Sequence, residues 1–271
     1  GGEGEDYLYS GTTYDTTLEG GSDNDELYVN VNFDSLRYSS FRNLFDLNNN
    51  YIFDEPAIQR LYGGSGDDQL TIRADYTYEW LGRTEYELSG DEGDDTINVV
   101  DNRAGSSNEW DDGSSYGMTN VNIDGGVGKD QITVSGGLDV SITTGADSDT
   151  VVLTAQQLRT IQEGARDITN DDGTSSVVEA KAISITDFSS GSGGDILDYG
   201  DLLRNGSTVY DGSNPFANGF ISLEQSGSDT LVLFDADGHT GEDHSGIAIA
   251  VLKNVLASSL TADNFNPNFP P

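Results

Sequence analysis

Six aspartates stand in one local frame: Asp6 in GGEGEDYLY, Asp25 in GGSDNDELY, Asp68 in GGSGDDQLT, Asp95 in GDEGDDTIN, Asp130 in GGVGKDQIT and Asp149 in TGADSDTVV. Each is the sixth residue of nine. Gly1, Gly20, Gly63, Gly90 and Gly125 open five of the segments, and Thr144 opens the sixth. Two residues after each aspartate comes an aliphatic: Leu8, Leu27, Leu70, Ile97, Ile132 or Val151. The chemistry open to such a segment is oxygen coordination of a cation. Glycine admits positive φ, so successive carbonyls can point inward, and one carboxylate adds charge without filling the loop. Calcium takes roughly six to eight oxygen ligands of this kind, whereas magnesium demands stricter octahedral geometry and zinc prefers nitrogen and sulfur. With no cysteine and only two histidines, His239 and His244, a thiolate or histidine metal site is not expected.

The elements that must hold these turns are legible on either side. Leu18, Leu61, Leu88, Ile123 and Ile142 lie two residues before a repeat, and Thr16, Gln59, Tyr86, Val121 and Val140 lie four before. This period-two pattern predicts a strand entering each turn, and the alternation after each aspartate predicts a strand leaving it. The repeats begin at residues 1, 20, 63, 90, 125 and 144, at separations of 19, 43, 27, 35 and 19. A separation of 19 suits two short strands and two turns, one flattened coil. Such coils stack into a parallel solenoid because none can bury its apolar face alone. The longer separations imply insertions on the return side, over about 33–56, 73–84 and 101–118. The separation of 43 alternatively holds a whole coil whose turn has decayed, with Asn48 to Asn50 as its remnant.

Charge points the same way. Against 12 Lys plus Arg stand 48 Asp plus Glu, a net charge of −36. A compact body with that charge repels itself unless cations or high salt offset it. Aromatic residues at 9% and apolar residues at 34% argue against a disordered acidic tail. Nucleic acid and anionic membrane surfaces are poor partners for this field, and no apolar run approaches the length of a membrane span. The first residues lack Met, a basic stretch and an apolar stretch, so an upstream segment is expected to have been removed.

The nonapeptide resembles the GGxGxDxUx repeat of the RTX (repeats-in-toxin) family. The resemblance implies a mostly β fold: a right-handed parallel β-roll, or β-solenoid, followed by a small, mainly antiparallel C-terminal cap with a short helix. It also implies secretion through a type I apparatus and folding outside the cell when calcium is met. Carried over residue by residue, Asp6, Asp25, Asp68, Asp95, Asp130 and Asp149 would ligate calcium through carboxylates, with Gly1, Gly20, Gly63, Gly90 and Gly125 among the carbonyl donors. The repeats occur singly per coil, so several Ca2+ ions, roughly one per turn, are expected in a single row, leaving the other edge to the insertions. Asp23, Asp147 and Thr144 depart from the pattern. Six ions would cancel about 12 charges and leave about −24.

The grammar changes after Leu153, which divides the chain into a repeat region, 1–153, and a C-terminal region, 154–271. TAQQLRTIQEGA (154–165) has a capping Thr, helix formers and a closing Gly, predicting a short helix. AISITDFSSGSGGDILDYGDLL (182–203) runs from a strand through a glycine turn to a helical turn, and FISLEQSGSDTLVLFDADGHTGEDHSGIAIAVLKNV (220–255) alternates as a three-strand meander. The former, with Asp187, Phe188, Gly194, Asp195, Leu197, Asp198, Leu202 and Leu203, resembles a segment near the ends of type I secreted RTX proteins, and LTADNF resembles their C-terminal secretion region. A cap on the solenoid and a secretion-target region are compatible readings.

Other motifs carry less. DADGHTGED (235–243) lacks the order of an EF-hand loop and reads as a hairpin turn. GSSYG (113–117) matches G-x-S-x-G without a strand-to-helix context, so no catalytic residue is expected. The insertions gather Phe33, Tyr38, Phe41, Phe45, Tyr51, Phe53, Tyr76, Tyr78, Trp80, Trp110 and Tyr116 with Arg37, Arg42, Arg73, Arg83 and Arg103. They read either as a satellite core on the flank or as a surface for self-association or for a carbohydrate or protein ligand. Three functions follow: a non-catalytic, calcium-rigidified adhesive or structural region of a secreted or cell-surface protein; a self-assembling surface-layer or filament subunit; or the secretion and folding module of a protease or lipase.

Overall fold

The structure is a computed structural model. It describes residues 1–11, 15–32, 57–75, 84–101, 120–137, 139–163, 166–169, 175–178, 181–240 and 246–271. The insertion aromatics, GSSYG and Asn48 to Asn50 lie outside the described residues, as do all the arginines named with those aromatics except Arg73, which lies in a strand.

Strands come in pairs, one before each glycine turn and one after it: β1 (Gly2–Glu3) and β2 (Tyr7–Ser10), β3 (Thr16–Ser22) and β4 (Glu26–Asn32), β5 (Ala57–Ser65) and β6 (Gln69–Asp75), β7 (Thr84–Glu92) and β8 (Thr96–Asp101), β9 (Asn120–Val127) and β10 (Gln131–Ser135), β11 (Asp139–Thr143) and β12 (Thr150–Leu153). The odd-numbered strands pair with one another in one parallel sheet and the even-numbered ones in a second. The protein is thus mostly β, built on parallel pairing.

Register follows the repeat frame whatever the separation along the chain. The residues two before each turn pair as Leu18, Leu61, Leu88, Ile123 and Ile142 in sequence across one sheet. Those two after each aspartate pair as Leu8, Leu27, Leu70, Ile97, Ile132 and Val151 across the other. In a strand alternate side chains face one side, so these two rows and their period-two neighbours can be buried together. Leu27, Val29, Leu61, Leu70, Ile72, Leu88, Ile97, Ile123, Ile132 and Ile142 are buried in one continuous core drawn from both sheets.

After β12 comes α1 (Ala155–Glu163), whose N-terminus is capped by Thr154 Oγ1 accepting from the Gln157 amide at 3.1 Å. The buried Gln157 side chain in turn accepts from Gly136 N–H at 3.0 Å and donates to the Gly137 carbonyl at 3.1 Å, tying the helix to the end of β10. The hairpin β13 (Arg166–Thr169) and β14 (Ser175–Val178) forms a small sheet of its own. Next come β15 (Ile183–Ile185), β16 (Ile196–Asp198), α2 (Gly200–Gly206), β17 (Ile221–Ser226), β18 (Asp229–Phe234), β19 (Ile247–Leu252) and β20 (Phe265–Asn266).

The short helix and the antiparallel meander β17–β18–β19 match the sequence expectation. The region also prolongs both parallel ladders: β15 and then β19 extend the first sheet, β16 and then β20 the second. The apolar row consequently continues from Val151 to Leu197 and Phe265, and the other from Ile142 to Ile185 and Leu252. The physical reason is templating. A two- or three-residue strand has too little periodicity to be read, yet β12 and β11 offer free edges on which it can pair. Among the described residues, no helix is long and apolar enough to cross a membrane.

Candidate functional site

Every nonapeptide joins a strand of the first sheet to its partner in the second, so the turns share one edge of the molecule. Their conformation repeats. The second and fourth positions have positive φ, as at Gly64 (111°) and Gly66 (130°). Where glycine is missing there, aspartate takes its place: Asp23 (76°), Asp91 (73°) and Asp147 (87°). Aspartate tolerates this region better than most side-chain-bearing residues, which accounts for the departures at Asp23 and Asp147.

The first position is glycine for another reason, space. A Cβ on Gly1, Gly20, Gly63, Gly90 or Gly125 would strike two oxygens at once: the Oδ2 of that turn's own aspartate (Asp6, Asp25, Asp68, Asp95 or Asp130) and the carbonyl of the first residue of the next turn. Each such glycine thus marks a cradle with a carboxylate oxygen and a carbonyl oxygen on its walls.

The aspartates form a continuous ladder. Oδ1 of Asp25 accepts from Asp6 N–H (2.7 Å), and Asp68 from Asp25 (2.7 Å), Asp95 from Asp68 (2.8 Å), Asp130 from Asp95 (2.8 Å) and Asp149 from Asp130 (2.9 Å) in the same way. This uses one oxygen of each carboxylate. The other, Oδ2 of Asp25, Asp68, Asp95, Asp130 and Asp149, is buried with no hydrogen-bond partner, while the five residues are at most 3% exposed. Asp6, at the end of the row, is only half-buried. The eleven residues singled out in the sequence are therefore brought to one edge: five glycines framing cradles and six aspartates stacked beside them.

Leaving a carboxylate oxygen buried and unpaired is costly, and the ladder compounds the cost. Strands lie about 4.8 Å apart, so two stacked carboxylates at an effective dielectric near 20 repel by on the order of 3 kcal/mol. Asp68, Asp95, Asp130 and Asp149 respond by holding protons. Burial, above all, drives Asp95 up to about 7, Asp130 to about 6 and Asp149 to about 7, with backbone hydrogen bonds opposing and neighbouring aspartates adding. Asp68 is raised for the same leading reason.

A second ladder runs outside the first with opposite polarity. Asn24 Oδ1 accepts from Asp67 N–H (2.9 Å), Asp67 Oδ1 from Asp94 N–H (2.9 Å) and Asp94 Oδ1 from Lys129 N–H (2.8 Å). These fifth-position side chains are exposed.

Three participants escaped the sequence reading. Asp195 is a seventh rung: its Oδ1 accepts from Asp149 N–H at 3.1 Å. SGSGGDILD (190–198) does keep the sixth-position Asp and the eighth-position Leu, which is the signal that could have found it. Asp187 takes the first position, since Ile142 pairs with Ile185, and from there to Asp195 the turn is three residues longer than from Thr144 to Asp149. Asn264, fully buried, closes the row; its amide donates to the Asp195 carbonyl at 2.9 Å and its oxygen accepts from Gly191 N–H at 2.8 Å.

Among the described residues no three acidic or histidine side chains converge. An ion at this edge would draw on one carboxylate per turn supplemented by backbone carbonyls, an all-oxygen set suited to a hard divalent cation. A scan against protein-family models gives no match, and searches of curated proteins and of solved structures give none either.

Proposed function

We propose that this chain is a calcium-binding, non-catalytic extracellular module. In this reading the two parallel sheets are the faces of a right-handed β-roll, and the glycine turns hold a row of calcium ions through Asp6, Asp25, Asp68, Asp95 and Asp130 and neighbouring carbonyls, with Asp149 at the end of the row. The observation that carries it is the line of buried Oδ2 atoms without partners, those of Asp25, Asp68, Asp95 and Asp130 each beside a first-position glycine. Burial explains why the site favours calcium over water, and oxygen-only donors explain why it favours calcium over zinc. With the resemblance of the nonapeptide to RTX repeats, the row implies folding on calcium after type I secretion and a structural or adhesive role outside the cell.

Isothermal titration calorimetry tests the binding itself. Calcium should saturate several sites in the millimolar range or below, while magnesium should give little heat. No calcium heat up to about 10 mM, well above the range of extracellular modules, would end the reading.

A self-assembling subunit is a second reading, favoured by one observation. Strand β2 exposes Tyr7 and Tyr9 at 63% and 57%, and Tyr9 stacks on Tyr28. Sedimentation in calcium separates the two: a monomer supports the module, long assemblies the subunit.

A further inference from the structure

Resting on the calcium reading, we infer that Thr144 is the stop of the cation row, so that the row holds five ions, in the cradles of Gly1, Gly20, Gly63, Gly90 and Gly125. Thr144 stands at the first position of the sixth turn, where the five preceding turns have glycine. The space that a Cβ would invade in those turns is here filled by one. Thr144 is completely buried, and its hydroxyl lies 3.0 Å from Asp187 Oδ1 and 3.1 Å from Asp195 Oδ2, with its proton directed at those carboxylates.

Neighbouring groups complete the substitution of protein for ion. Asp187 Oδ1 also accepts from Thr144 N–H at 2.8 Å and Asp187 Oδ2 from Gly145 N–H at 3.0 Å. Asp195 Oδ2 accepts from Ser189 N–H at 2.7 Å. Every carboxylate oxygen added by this last turn has a protein donor, whereas Asp149 Oδ2, on the Thr144 turn, still has none. The threonine side chain thus fills the first position of this turn, where the cradles before it are open, and it packs against the carboxylates of Asp187 and Asp195. Removing that side chain should therefore open a sixth site facing Asp149.

Native electrospray mass spectrometry of the folded chain in calcium acetate counts the ions. The wild type should carry five, Thr144→Ser, which keeps the plug and its hydroxyl, five, and Thr144→Gly six. A wild type that carries six, or a folded Thr144→Gly that stays at five, overturns the assignment of Thr144 as the stop. The wild-type count decides even if Thr144→Gly does not fold. A wild type that takes up no calcium overturns the underlying reading, and the stop falls with it, an outcome distinct from a count of six.

Discussion

The row from Asp25 to Asp149 and the closing turn around Asp195 occupy the same sheets, the same edge and the same depth, yet they treat charge in opposite ways. Each aspartate of the row has one oxygen bonded to a backbone amide and the other buried without a donor. Asp195 has donors on both oxygens: Asp149 N–H on one, Ser189 N–H and the Thr144 hydroxyl on the other. One rung further the charge is gone, because Asn264 brings its own donors. The difference teaches that burial alone does not make a carboxylate a ligand; a buried oxygen left without a donor beside an open glycine cradle does. It also implies that the two regions will respond differently to mutation and to calcium.

The largest expected effect is collective. Asp95, Asp130 and Asp149 titrate near 7, 6 and 7 when folded and near 4 when unfolded. The folded state therefore holds protons that the unfolded chain has released. Without calcium this stability is fully present below about pH 4 and is lost as pH rises through 6 to 7. The melting temperature in chelator should fall between pH 5 and 8 at fixed ionic strength. In saturating calcium the slope should reverse, because the ion competes with those protons. Parallel slopes in the two conditions would erase the distinction between row and end.

Asp195→Ala comes next. It strands the amides of Ser189 and Asp149 and the Thr144 hydroxyl, so it should cost about 3 to 5 kcal/mol in urea unfolding, with or without calcium. Asp95→Asn is smaller and depends on the ion. It removes a charge that burial and Asp130 and Asp68 already penalise. In chelator it should be neutral or stabilising by about 1 kcal/mol, while in calcium it should remove one ion and lower stability. Asp94→Ala, on the exposed outer ladder, loses one hydrogen bond to Lys129 N–H and should cost about 1 kcal/mol or less in either condition.

Much of the row was legible in the sequence because the backbone dictates its residues. The first-position glycine is fixed by the two oxygens around it, the second and fourth by positive φ, and the eighth position by the core, so Gly63, Gly66, Asp68 and Leu70 advertise their places. Separations of 19 to 43 residues did not blur this, since the register between turns is the same at every separation. The closing turn reads as a glycine turn between a strand and a helical turn, but not as a rung of the ladder. Its three extra residues and its aspartate at the first position hide the frame, and β16 and β20, three and two residues long, have no periodicity of their own. Asn264 could not be foreseen at all, because an amide at the end of a ladder looks like any loop asparagine until its partners are in place.

The central claim is that the row is built around calcium, and thermal melting followed by far-ultraviolet circular dichroism tests it most directly. At pH 7.5, where the row should be largely ionised, the chain in chelator should show reduced β signal and a low, broad transition. A few millimolar calcium should restore the signal and raise the melting temperature by well over 10 °C, about the shift that several bound ions would give by mass action. Identical spectra and melting temperatures in the two buffers would contradict the account.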